Sequence, residues 1–187
     1  VDALWAPAAD PINRALALEA TRAISESLRR IVVDPADEEA RSSALYGTYL
    51  SAIAFASSGP ALHHKICHIL GGTYGLPHAE THAVILPYVL AFNSPSVPVL
   101  ATRLARALSD GAEVDAARAL EDLRVLLDAP RSLDALGLPE SVIGELALQT
   151  LSVAPATNPM PVTIENLTEL LSAAWAGAPL PQMIPPK

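Results

Sequence analysis

Five histidines fall within one stretch, Gly59 to Asn93, reading GPALHHKICHILGGTYGLPHAETHAVILPYVLAFN: His63, His64, His68, His78 and His82. No other histidine occurs in the chain, and its single cysteine, Cys67, lies among them. The only charged residues of the stretch are Lys65 and Glu80. Imidazole titrates near neutrality and is the commonest protein metal ligand. An apolar segment this rich in it points to a lined pocket, where the chemistry is proton transfer or ligation.

The spacing says which elements position these rings. His64 and His68 are four residues apart, so on a helix they share one face. Gly71-Gly72 is expected to end that helix, because glycine accepts the positive φ of a C-terminal cap. Thr73 to Pro77 then forms a turn, with Pro77 at the entry to a second helix. His78 and His82, again four apart, share one face of that helix. Two helices joined this way bring three or four imidazoles around one volume, so His64, His68 and His78 are expected to converge on one cavity.

These residues carry a resemblance. The pattern His64-x3-His68-x9-His78, with glycines between and Pro77 before the last histidine, resembles the metal-site region of the iron-containing alcohol dehydrogenase family. The details H-H-K-x-C-H-x-L-G-G and L-P-H-A-E-T-H-A are similar to its maleylacetate reductase branch. V-D-A-L-W-A-P-A-A-D-P at the start and N-P-M-P-V-T near residue 158 extend the likeness over nearly the whole chain.

The resemblance implies an oxidoreductase of aromatic compound catabolism. It would reduce maleylacetate to 3-oxoadipate with NADH or NADPH, in chlorocatechol or hydroxyquinol breakdown. His64 and His78 take two metal-ligand positions for Fe2+ or Zn2+, and the family's other two ligands would lie upstream of Val1. His68 takes the place of the active-site histidine beside nicotinamide and substrate, where it handles a proton. His63, Lys65 and His82 are the candidates for binding the carboxylates of a small dicarboxylate substrate. A homodimer is implied for the intact protein. Tyr88 departs from the family, whose members often carry histidine there.

Each reading has a plainer counterpart. Two neutral imidazoles are an incomplete metal site, so His64 and His78 also read as polar pocket residues, and the branch is regarded as able to work without metal. A buried structural histidine is the counterpart for His68, a solvated side chain for Lys65, and a small core residue is the reading for Cys67.

Composition bounds the rest. The 187 residues have room for one domain with a core. The chain is 51% hydrophobic but 4% aromatic, so its core is built from alanine, leucine, valine and isoleucine. A formal net charge of −8 argues against nucleic acid and against an anionic membrane as partners. One cysteine excludes an internal disulfide and fits a cytoplasmic location. The uncharged runs from Ser42 and from Thr81 are too polar or too broken by proline to span a membrane.

In chain order, Asp10-Pro11 opens a helix to about Val33, with Ile12, Leu16, Ala20, Ala23, Ile24 and Leu28 inward. A second runs from near Asp37 to Gly59. Others are expected over Val99–Leu108 (closed by Asp110-Gly111), Glu113–Leu127 (Val114 inward), Glu140–Ser152 and Ile164–Ala176. Thr163 caps the last, with Asn166 in the capping-box position, and Gly177 ends it. Val1 to Trp5 reads as the end of a helix.

No strand pattern and no glycine-rich phosphate loop occur. The expectation is an all-α domain: the helical C-terminal domain of the iron-containing alcohol dehydrogenase/dehydroquinate synthase-like fold, with the α/β nucleotide-binding domain absent from this chain. Its bounds are 1–178, with a proline-rich tail over 179–187. The face around the histidines, with Leu70 and Leu76, is expected to be open. The competing functions are a metal-dependent alcohol dehydrogenase and a non-catalytic helical packing module.

Overall fold

The computed structural model describes residues 1–109 and 115–181, and among these only helices and turns occur. The expected closure at Asp110-Gly111, the Glu113 start, Val114 and residues 182–187 lie outside them. After a 3-10 turn at Asp2–Leu4, α1 spans Pro11–Val33 and α2 Glu38–Ser58. Aspartates start both. The Asp10 carboxylate accepts from the Asn13 N–H at 2.7 Å, and Asp37 from Ala40 at 2.9 Å. The two helices meet through small buried residues: Ala17, Ala20 and Ala23 on α1, Ala40, Gly47 and Ala54 on α2. A Cβ on Gly47 would lie 2.7 Å from Ile24 Cγ1 and 3.1 Å from the Ala20 carbonyl oxygen. Ile12, expected inward, is 70% exposed. The buried stripe of α1 runs Asn13, Ala17, Ala20, Ser27, and Ile12 is one residue, about 100°, off it.

Next, α3 spans Leu62–Tyr74 and α4 His78–Asn93. The adjacent glycines do not end α3. It runs through Gly71 and Gly72 and stops at Gly75, which is left-handed at φ 68° and donates its N–H to the Gly71 carbonyl at 3.2 Å. Two helical glycines cost about 1 kcal/mol each against alanine. Tertiary packing of fully buried Leu70 and half-buried Tyr74 outweighs that preference. Pro77 is the residue before α4, so the turn shrinks to 75–77.

The remaining helices are α5 (Pro98–Leu108), α6 (Ala116–Leu126), α7 (Ile143–Val153) and α8 (Ile164–Ala176). The Asp115 side chain caps α6 by accepting from the N–H groups of Ala117 and Arg118. Thr163 and Asn166 form the capping box of α8, and Gly177 ends it at φ 63°.

Two cores result. One joins α3, α4, α7 and α8 around Leu70, Ile85, Phe92, Leu146 and Leu167. The other joins Ala3–Ala6, α1, α5, α6 and the end of α4 around Leu4, Leu90 and Leu104. Helix α4 belongs to both and is buried on all sides from Val84 onward except at Leu86, as an axial helix must be. Leu180 packs against both cores. No described helix is long and apolar enough to cross a membrane. The central helix therefore emerges only at its N-terminal turns, which carry His78 and His82.

Candidate active site

Helix α3 contributes His63, His64 and His68, and α4 contributes His78 and His82. Ring centroids of His63 and His82 are 4.6 Å apart, of His63 and His64 5.0 Å, and of His64 and His82 5.0 Å. His68 lies 6.1 Å from His64, and His78 lies 4.4 Å from His82. The five rings form one continuous cluster, with His63 buried inside it, His64 and His82 half-buried, and His68 and His78 exposed at its rim. The rim is open at His68 and His78, but Leu70, expected on the open face, is fully buried in the α3–α4 core, because it lies on the face of α3 that packs on α4, and Leu76 is half-buried.

Environment separates the rings chemically. Burial, with the neighbouring His82 and His64, pushes His63 down to about 3 although Asp2 pulls the other way. His82 is pushed down to about 4, first by burial and then by His64, His78 and His68. At neutral pH both are uncharged. His68 is lowered too, by burial first and then by the charges of His64, His78 and Lys65. Lys65, half-buried on α3, thus makes itself felt at the rim.

One partner escaped the sequence reading. Asp2, only 4% exposed, sits under His64, its Oδ2 2.9 Å from Nδ1. The same oxygen accepts from the backbone N–H groups of Ala61 and His64, each at 3.2 Å. Burial alone would raise this carboxyl. The hydrogen bond from His64 and the charges of His63 and His64 outweigh that and hold it below the usual carboxylate value. Phe55 stacks on His64 at 4.4 Å. A signal did exist: one carboxylate within Val1-Asp2-Ala3-Leu4-Trp5 cannot be buried without a partner.

Two other residues resolve simply. Cys67 is buried in the α3–α4 core, and burial pushes its thiol up, out of reactive range. The buried Tyr88 hydroxyl donates to the Ala178 carbonyl at 2.7 Å, so it fastens the C-terminal turn and does not face the cluster.

Of the five histidines only His64 lines an apolar cavity of about 540 Å³, walled by Ala20, Ile24, Ala54, Phe55 and Leu86 with Asp2; His68 and His78, expected on one cavity with it, stand at the exposed rim instead. A larger cavity of about 940 Å³, between α5, α6 and Gly177–Pro181, carries no histidine.

The cluster suits a divalent transition metal. One nitrogen each of His63, His64 and His82 lie within 4.8 Å of one another, and Nε2 of His82 is buried without a partner. Three imidazoles and an open position are a catalytic-metal pattern. His63, His64 and His82 would hold such an ion, which would supply Lewis-acid polarisation to a bound oxygen. His78 lies outside that trio, its ring tilted at 54° against His82.

The chain is similar to known proteins along nearly its whole length. The profile of the Fe-containing alcohol dehydrogenase family, C-terminal, matches residues 1–175. The chain is 44% identical over 180 residues to maleylacetate reductase of Sphingobium indicum, covering 96% of this chain and 50% of that protein. Among solved structures, the iron-containing alcohol dehydrogenase of Corynebacterium glutamicum superposes with TM-score 0.88 at 50% identity, over 93% of this chain and 48% of that one. The maleylacetate reductase of a Rhizobium species superposes with TM-score 0.86 at 38% identity, over 95% and 49%. The chain spans about half the length of the curated relatives it matches.

Proposed function

Because the chain belongs to the iron-containing alcohol dehydrogenase family, we propose that it is the substrate-site half of an NADH- or NADPH-dependent maleylacetate reductase. The observation that carries this reading is the five-imidazole cluster, open at His68 and His78 and closed at His63. It accompanies a likeness to maleylacetate reductases along nearly the whole chain.

The substrate would be a dianion with a ketone conjugated to a carbon–carbon double bond. Lys65 and the rim histidines offer N–H donors to its carboxylates, and the buried neutral rings beneath offer no charge of their own. Nicotinamide, held by another domain, supplies the hydride for the carbon β to the ketone. A divalent ion, Fe2+ or Zn2+, held by His63, His64 and His82 would supply Lewis-acid polarisation of the ketone oxygen. His68 then delivers a proton to the α carbon. It is the exposed ring nearest His64 on α3, and its lowered pKa makes its imidazolium a stronger acid than free histidine. The same reading gives a homodimeric, cytoplasmic enzyme of aromatic catabolism.

The test joins this chain to the N-terminal half of a maleylacetate reductase such as that of Sphingobium indicum and follows NADH and NADPH consumption. Maleylacetate-dependent turnover is expected. Turnover only with simple aldehydes, abolished by a chelator, would move the reading to a metal-dependent alcohol dehydrogenase.

A further inference from the structure

We propose that Asp2 is a positioning residue: its carboxylate holds neutral His64 in the tautomer with hydrogen on Nδ1, leaving Nε2 as the atom that meets metal or substrate. This rests on the site described under the proposed function and specifies how one of its rings can act.

The carboxylate can only accept, so the atom 2.9 Å away, Nδ1, must carry the hydrogen. Asp2 is itself fixed. Ala61, the residue before α3, has no side chain able to cap, and the Asp2 Oδ2 takes over by accepting the N–H groups of Ala61 and His64. One oxygen therefore registers both the first turn of α3 and the His64 ring. The stack of Phe55 on His64 fixes the ring plane. At 4% exposure the carboxylate is shielded from bulk solvent. Carboxylate–histidine pairs of this kind orient the imidazole and select its tautomer in metal sites and in catalytic triads alike.

The consequence is a division of labour. Neutral His64 presents a lone pair. It can ligate a cation or accept a proton, but it can donate to an enolate oxygen only after it becomes imidazolium. Donation in the neutral state falls to His68 and His78, which lack a carboxylate partner among the hydrogen bonds described.

The experiment is long-range nitrogen–proton correlation NMR of the imidazoles in the metal-free 187-residue chain at mildly alkaline pH. Wild type is expected to show His64 protonated at Nδ1 and bare at Nε2. Asp2→Ala should shift it toward the Nε2–H form that free histidine prefers. Asp2→Asn, which keeps an acceptor at that place, should hold the Nδ1–H form. Zn2+ titration of the same proteins should show about 10- to 100-fold weaker binding in Asp2→Ala. A wild-type His64 in the Nε2–H form, or an Asp2→Ala chain that keeps Nδ1–H, overturns the proposal. So does a change in melting temperature with tautomer and Zn2+ affinity untouched, which would make Asp2 a helix cap and nothing more. Failure of the reductase reading looks different: the joined enzyme leaves maleylacetate unreduced while the tautomer pattern stands. A wild-type chain without Zn2+ affinity counts against the metal alone, and the tautomer then decides the role of Asp2.

Discussion

Asp2 and His64 are 62 residues apart in the chain, yet the carboxylate of one holds the ring of the other at 2.9 Å. The pair ties the segment before α1 to the first turn of α3. Asp2→Ala should therefore cost about 2–3 kcal/mol, the sum of a lost cap and a lost charge-assisted hydrogen bond in a buried place. Urea unfolding measures it, and Asp2→Asn should lose less because one acceptor remains. A loss no larger than a surface substitution would show that the pair contributes nothing to the fold.

Acid should destabilise the metal-free chain over a defined window. His63 and His82 are uncharged in the fold down to about 3 and about 4, whereas the unfolded chain takes up protons near 6.5. Between those values the unfolded state binds more protons, so stability is full above about pH 6.5 and falls as pH drops toward 4. Melting temperature against pH, with chelator present, should show that slope. His63→Phe should flatten it. A profile level from pH 7 to 4 would contradict the buried, neutral assignment.

Kinetics of the joined enzyme separate the roles at the rim. His68→Ala should lower turnover by about 10² to 10⁴, the usual loss for a general acid. In wild type, the His68-dependent activity should decline with rising pH, at a lower pH than for a free imidazole, because protonated His68 is the active form and its pKa is lowered. Lys65→Ala should raise KM and spare kcat if its charge binds a carboxylate equally in ground and transition states. Wild-type turnover in His68→Ala would remove His68 from the reaction.

Three glycines test where α3 ends. Gly72 is helical with open space at its Cβ position, and Gly71 meets nothing nearer than 3.9 Å. Alanine at either should stabilise by up to about 1 kcal/mol. Gly75→Ala should destabilise by about that much, since φ there is 68°. Thermal denaturation of the three variants reads the sign directly, and the opposite signs would restore the earlier helix end.

The crossing of α1 and α2 depends on Gly47. With Ile24 Cγ1 2.7 Å from the site of any Cβ, Gly47→Ala should cost about 1–3 kcal/mol through overpacking. Denaturant melts would show it, and Gly47→Ala should cost less in an Ile24→Ala background, where Cγ1 is gone.

Much of this molecule was written locally. Asp10, Asp37 and Thr163 start their helices through hydrogen bonds to residues three positions on, so those starts are legible one stretch at a time. Spacing alone likewise put His64 with His68, and His78 with His82, on shared helix faces. What the sequence could not decide depends on contacts between distant elements. Gly71-Gly72 has the composition of a helix end, but burial of Leu70 carries α3 onward to Gly75. Five histidines look alike in one dimension. Only packing of α3 on α4 makes His63 a buried neutral ring and leaves His68 at the surface, because desolvation depends on what covers a group and not on its neighbours in sequence. Asp2 shows the limit most clearly. Its charge among apolar residues announced that a partner was needed, and only the tertiary structure could bring up His64.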